Sequence, residues 1–277
     1  MPQETGLLEL ATGVFAKIYP EGRTNAGFVV GDEAVLVVDA LMTPGLAREL
    51  QEDVRRVCDR PIRYLVNTHY HGDHTFGNEV FAPTPIISHQ RCREEMAERG
   101  EASLRRFATM RPELASELEG VRIRLPDVTF SESLTVDLGG ITAQLTHPGP
   151  AHTGGDTFVY VPERRALFAG DLLFARMVPF MADGHPQGWV QALERLEPLD
   201  ADAVVPGHGL MATRKELREQ RDLLADLCAV AAEALRSGVG EEEAASWPRL
   251  EKYAGLPRAE GMAIGIGRAY AELRREL

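Results

Sequence analysis

Between Asn67 and Asn78 the chain reads NTHYHGDHTFGN, with His69, His71, Asp73 and His74 inside six residues. Imidazole nitrogens and carboxylate oxygens are the donors that zinc, iron and manganese accept. At the end of an expected strand, His69 and His71 lie two apart and project to the same side. Asp73 and His74 are adjacent and diverge, so one short segment can serve two metal ions. Without a cation, buried imidazoles and carboxylates packed this closely need other partners for their polar atoms, at a cost of roughly 1–3 kcal/mol for each left unpaired.

Three further segments place ligand types beside glycines where an apolar strand begins or ends: PGPAHTGGD with His152, LFAGDLLF with Asp171 and VVPGHG with His208. Each alone is a weak signal, since Gly-Asp and Gly-His, as at Asp171 and His208, are common turn dipeptides. In order, His69-x-His71-x-Asp73-His74, His152, Asp171 and His208 resemble the signature of the metallo-β-lactamase superfamily, and VLVVDA with Asp39 resembles that family's early strand ending in Asp. The resemblance implies an α/β fold, an αβ/βα four-layer sandwich with the metals in a cleft at one edge of two sheets. It also implies that His69, His71 and His152 hold one divalent ion, that Asp73, His74 and His208 hold a second, and that Asp171 bridges both.

The activity implied is that of a dinuclear metal-dependent hydrolase, with Zn2+ expected and Fe or Mn also suited to such donors. A divalent ion lowers the pKa of bound water from ~16 to about 7, so hydroxide held between two ions can attack a carbonyl carbon at neutral pH. Asp73 is expected to orient that hydroxide or relay a proton to the leaving group. Asp39, Thr68 and Thr153 are expected either to orient ligands or to cap turns. Among the remaining histidines, His89 reads as a helix cap, whereas His147 and His185, the latter in MADGHPQGW, could reach a substrate.

Within the superfamily, true β-lactamases generally lack the bridging Asp, and many lactonases carry Tyr three residues after it, where this chain has Phe174. The expected reaction is hydrolysis of an ester, lactone or thioester. The alternatives are an iron-dependent persulfide dioxygenase-like oxidoreductase, or β-lactam hydrolysis as a main or side activity. Met96, Leu104, Phe107, Met110, Leu114 and Leu118, with Phe174, Met177, Phe180, Met181 and Trp189, suit a partly apolar small-molecule substrate or ordinary core packing.

The elements that must hold these residues follow from periodicity. Val14–Ile18, Gly27–Val30 and Ala34–Val38 read as hairpin strands. Pro44–Val57 reads as a helix with Leu46, Leu50, Val54 and Val57 on one face, and Ile62–Val66 as a buried strand leading to His69. Ile86–Ser88 is a further strand. Residues 90–119, rich in Arg, Glu, Ala and Leu, read as two helices split near Gly100, a lid over the cleft. Strands recur at Ser133–Asp137, Ile141–Thr146, Thr157–Val161, Ala166–Phe168 and Ala203–Val205, with a helix near Trp189–Leu196. Without a Pro/Gly/Ser linker, residues 1–212 read as one domain of two similar modules, with 213–277 a helical extension packed on it.

A net charge of −12 works against binding a polyanion, so nucleic acid is not an expected partner. Arg91, Arg93, Arg105, Arg106 and Arg111 alternate with Glu94, Glu95 and Glu98, as on a solvated helix face. The N-terminus lacks a signal-peptide pattern and no apolar run reaches about 18 residues, so a cytoplasmic protein that does not enter a membrane is expected. Cys58, Cys92 and Cys228 form no C-x-x-C pair and read as free thiols.

Overall fold

The computed structural model describes residues 5–20, 22–244 and 246–276. Strands β1 (Gly6–Ala11), β2 (Val14–Ile18), β3 (Ala26–Val30), β4 (Val35–Val38), β5 (Ile62–Val66), β6 (Ile86–His89) and β7 (Val128–Phe130) form one sheet in sequential order. A second sheet runs β12-β11-β10-β9-β8, from β8 (Ser133–Asp137), β9 (Thr142–Thr146), β10 (Phe158–Val161), β11 (Ala166–Phe174) and β12 (Ala203–His208). The N-terminal strands of the first sheet pair antiparallel, and β4 to β7 are parallel. β4, the run VLVV, is buried throughout, as a parallel strand covered on both faces must be.

Between the sheets, Val29, Leu36, Val38 and Val66 meet Leu145, Val159, Phe168 and Val205 in one apolar layer. The outer face of the first sheet is covered by α1 (Pro44–Val57), which Thr43 caps by accepting from Leu46 N, and which buries Ala47, Leu50 and Val54. Short α2 (Gly72–Thr75), α3 (Gln90–Met110) and α4 (Ala115–Leu118) follow on this side of the chain. The second sheet's outer face carries α5 (Pro186–Leu196), α6 (Arg214–Ser237), short α7 (Glu241–Ala244) and α8 (Met262–Glu276). Their Trp189, Leu224, Ile266 and Tyr270 share a core with Leu167, Leu172 and Phe174 of β11. Helices therefore flank two packed sheets, the expected αβ/βα sandwich.

Four local expectations are corrected. β1 and β7 join the sheet although neither reads as a strand from sequence: β1 has mixed, half-exposed residues that alternate weakly, and β7 has only three residues. Residues 90–110 form one helix, not two split at Gly100; a Cβ there would lie 2.9 Å from Ile123 Cγ2, so the glycine admits a neighbour rather than breaking the helix. The break falls instead at Arg111–Pro112, because Pro112 lacks a donor and disfavours helical backbone before it. β11 and β12 each run farther than expected, to Phe174 and His208, carrying Asp171 and His208 within strands rather than turns.

The arginines of α3 behave as a solvated face, with Arg91 pairing Glu94 and Arg105 facing Glu101. No described helix is long and apolar enough to cross a membrane. All three cysteines are free.

Candidate metal centre

β5 ends at Val66, so strand alternation is not what aligns His69 with His71. Asp39 instead anchors the residue before His69: its Oδ1 accepts from Thr68 N and its Oδ2 from Thr68 Oγ1, both at 2.8 Å. Asp39 sits at φ 64°, a left-handed backbone that Asp tolerates better than most residues, immediately after β4. The chain then turns into α2, which presents Asp73 and His74.

The second sheet brings the remaining groups to the same edge. Gly170 (φ 53°) lets β11 slip register against β12, and a Cβ there would stand 2.7 Å from Thr68 Cβ. The slip aims Asp171 at the cluster. His208 arrives at the end of β12, stitched to the first sheet by Asn25, whose Nδ2 donates to Pro206 O and Gly209 O, and by the Thr24–His208 bridge.

Two groups of donors result: His69, His71, His152 and Asp171, and Asp73, His74 and His208, with the donor atoms of each group within 4.8 Å of one another. Asp171 stands between them. Its Oδ2 lies 3.2 Å from His152 Nε2, 3.3 Å from His208 Nε2 and 3.6 Å from His69 Nε2, and its Oδ1 lies 3.1 Å from His74 Nε2. Yet His69 Nε2, His74 Nε2 and Asp171 Oδ1 are buried without a hydrogen-bond partner among the described residues. Orphaned donors converging at ligand spacing, all from imidazole or carboxylate, are what a divalent ion satisfies.

The far side of each imidazole is occupied. His74 Nδ1 bonds Asp39 Oδ2 (2.8 Å), His208 Nδ1 donates to Gly22 O (2.8 Å) and His152 Nδ1 donates to Phe180 O (3.1 Å). His71 Nε2 contacts Asp183 Oδ2 (3.1 Å), which turns its Nδ1 toward His152 Nε2 at 2.9 Å. His69 Nδ1 lies 3.2 Å from Thr68 Oγ1. Such partners set the tautomer that leaves the other nitrogen to a metal. Burial pushes His69 well below the usual imidazole range, whereas carboxylates, Asp171 foremost, overcome burial and push His208 up to about 9. A cation at the second group must therefore displace a proton.

Residues 19–208 match the family described as the metallo-beta-lactamase superfamily. The chain belongs to it. Members of this superfamily are mostly metal-dependent hydrolases, and the His/Asp groups described above supply a metal-binding cluster of the matching kind. Over 219 residues the chain is 32% identical to the 2,4-dinitroanisole O-demethylase subunit alpha of Nocardioides sp., covering 76% of this chain and 60% of that protein. It is 25% identical to the hydroxyacylglutathione hydrolase of Erythrobacter litoralis over 181 residues, 65% of this chain and 61% of that one. The chain thus spans less than two thirds of these relatives' lengths. The solved structure of a stereoselective inverting sec-alkylsulfatase from Pseudomonas sp. superposes with a TM-score of 0.76 at 18% identity, over 97% of this chain and 50% of that one.

Around this metallo-β-lactamase-type centre, the structure shows what each of the neighbouring sequence-derived candidates touches. Thr153 touches no imidazole; with its own N–H and hydroxyl it binds Asp156, which also accepts from Ala151 N and so shapes the His152 loop. Phe174, expected either to support a ligand or to meet a substrate, is 1% exposed and stacks on His208 (centroids 4.8 Å, 15°), which is the supporting role. His185 turns away toward Glu272 on α8 at 3.7 Å. Met96, Leu118, Met181 and Trp189 are core, whereas Phe180 is 40% exposed at the rim, 6.0 Å from His71 and 6.4 Å from His152 between ring centroids.

Sequence reasoning missed Thr24, Asn25, Asp156 and Asp183. Thr24 Oγ1 donates to Asp73 Oδ2 at 2.6 Å. A cluster of polar residues, RTN, between two strands was its only signal, and it reads as a turn.

His89 caps α3 as expected, accepting from Arg91 N, but it is buried and stacks on His147 (3.8 Å, 10°). His147 Nδ1 bonds Asp156 O at 2.7 Å, so His147 is structural. Burial and then the His147 charge push His89 down to about 4, and burial lowers His147 as well. The folded pair thus takes up fewer protons than the unfolded chain between pH 4 and 6.5, and its stabilisation is lost as pH falls through that window. In calorimetry with chelator present, His147→Asn should lose less of its Tm between pH 6.5 and 4.5 than wild type, because the His147 site and its charge on His89 are both removed. Taking that difference cancels Glu95, pushed up to about 6 by burial and opposite in sign.

Proposed function

We propose that this superfamily member hydrolyses an ester-type bond, a carboxylic ester, lactone or thioester, in a small and partly apolar substrate. The observation that carries this reading is Asp171, one buried carboxylate reaching both donor groups while its own Oδ1 and the inward Nε2 atoms of His69 and His74 lack a hydrogen-bond partner among the described residues. His69, His71 and His152 would hold one ion and Asp73, His74 and His208 a second, with Asp171 serving both and zinc, iron or manganese suited to the donors. Such ions supply Lewis acidity and lower the pKa of water they bind.

The chain's residues do the rest. Thr24 fixes one oxygen of Asp73, which burial among imidazoles keeps ionised: desolvation opposes this, but His74 and His208 outweigh it. Asp73 is thereby set to accept a proton from attacking water and return it to the leaving group. Phe180 offers an apolar contact beside His71 and His152. Similarity to a hydroxyacylglutathione hydrolase supports a thioester within the class. The 32% identity to a 2,4-dinitroanisole O-demethylase subunit favours a second reading, cleavage of an activated aryl methyl ether by the same centre. The chain's −12 charge supports a small-molecule partner over nucleic acid.

A substrate panel tests both readings: aryl ester, lactone, acyl thioester, dinitrophenyl methyl ether, alkyl sulfate, β-lactam, phosphodiester and, with oxygen uptake recorded, persulfide. The first reading expects turnover of an ester, lactone or thioester, lost with chelator and restored by Zn2+, Mn2+ or Fe2+. Turnover confined to the aryl ether would replace it with the second, and oxygen consumption with persulfide alone would sink both.

A further inference from the structure

We infer that Asp183 is the positioning residue for His71, and that the loop carrying it is the point through which α3 and α8 hold the metal centre in register. This rests on the reading of His69, His71, His152 and Asp171 as metal ligands.

The loop between Phe180 and His185 supports two of those three imidazoles from behind. Phe180 O accepts from His152 Nδ1 (3.1 Å), and Asp183 Oδ2 faces His71 Nε2 (3.1 Å). With Nε2 committed to Asp183, His71 keeps its Nδ1 lone pair for a metal; without that partner the ring is free to exchange tautomers or rotate. The other oxygen of Asp183 is engaged from α3, where Arg99 NH1 donates to Oδ1 at 3.2 Å and to Tyr70 Oη at 3.3 Å. The Arg99 guanidinium also lies over the Tyr70 ring at 5.7 Å, and Tyr70 packs edge-on to His71 at 4.6 Å. One cation thus aligns both the carboxylate and the ring beside the imidazole.

α8 grips the same loop from the opposite side. Arg268 Nε donates to Gly184 O at 2.7 Å, Glu272 Oε2 accepts from Gln187 N at 3.1 Å, and Gly265 leaves room for Met181, whose Sδ would stand 2.6 Å from a Cβ at that position. His185 N closes the loop onto Ala151 O at 2.7 Å, next to His152. Two segments that supply none of the candidate metal ligands therefore converge on the stretch 180–187, whose Phe180 and Asp183 carry the outer contacts of His152 and His71.

The test uses purified full-length protein titrated with Zn2+ against a competing chelator, and with Co2+ for its visible spectrum. Asp183→Asn, which keeps the shape but removes the charge, is expected to weaken the weaker-held or first-group Zn2+ about 10–100-fold, to change the Co2+ spectrum and to lower kcat more than it raises KM. Asp183→Glu should recover part of the affinity, and Arg99→Gln should shift it in the same direction by a smaller factor. The chelated proteins should melt within about 2 °C of one another, which separates positioning from general destabilisation. Wild type that takes up Zn2+ beside an Asp183→Asn variant with unchanged affinity, spectrum and kcat overturns this inference and leaves the metal reading standing. Wild type that takes up no Zn2+ or Co2+ overturns both.

Discussion

Asp171→Ala is expected to lower kcat/KM by roughly 10³-fold or more, about 4 kcal/mol of transition-state stabilisation, and to reduce bound metal to one ion per chain or fewer. The reason is geometric. No other carboxylate among the described residues has oxygens within 3.6 Å of His69, His152, His208 and His74 together. Those imidazoles approach from both sheets, so truncation leaves an uncompensated cluster of donors that repel one another when protonated. Asp171→Asn keeps the volume and separates charge from packing; it should fold as wild type yet lose most activity. Metal analysis by mass spectrometry together with steady-state kinetics decides the matter. Full metal content and full activity in both variants would remove Asp171 from the centre.

Gly207→Ala should be nearly as damaging although the residue has no side chain to contribute. An added Cβ would lie 1.9 Å from Asp171 Oδ1, 2.7 Å from the carbonyl carbon of Gly170 and 2.8 Å from Asp171 N. Two of these are backbone atoms of the neighbouring parallel strand and the third is the shared carboxylate, so β12 must move away from β11 or Asp171 must turn out. Overpacking of this kind costs about 3 kcal/mol or more, a fall in Tm of about 6–12 °C for a domain of this size. Activity should fall at least 10²-fold at temperatures where the variant is folded. Gly240→Ala, where a Cβ meets nothing within 4 Å, is the matched control and should change neither. Wild-type Tm and metal content in Gly207→Ala would show that the strands are not packed as described.

The donors were legible in the chain because their chemistry is local. His69-x-His71-x-Asp73-His74 is dense enough that few structural explanations compete, and His152, Asp171 and His208 each carry glycines on at least one side. Periodicity also placed α1 at its observed bounds, Pro44–Val57, since a proline at the first turn and a regular apolar face are properties of consecutive residues. β1 and β7 were missed because short, half-exposed strands owe their existence to pairing with β2 and β6, which composition does not encode.

What the amino-acid order determined by itself, then, is the set of donor side chains and the layered elements that bear them, because ligand type and apolar period are written in neighbouring residues. Only the tertiary structure decided which partner stands behind each imidazole. Asp183 rather than His185 faces the centre, Phe174 backs His208, and Thr24 holds Asp73 across 49 positions of chain. These pairings depend on the angles at which two sheets, an inserted helix and the C-terminal helix meet, and contacts between residues distant in sequence leave no spacing pattern from which to read them.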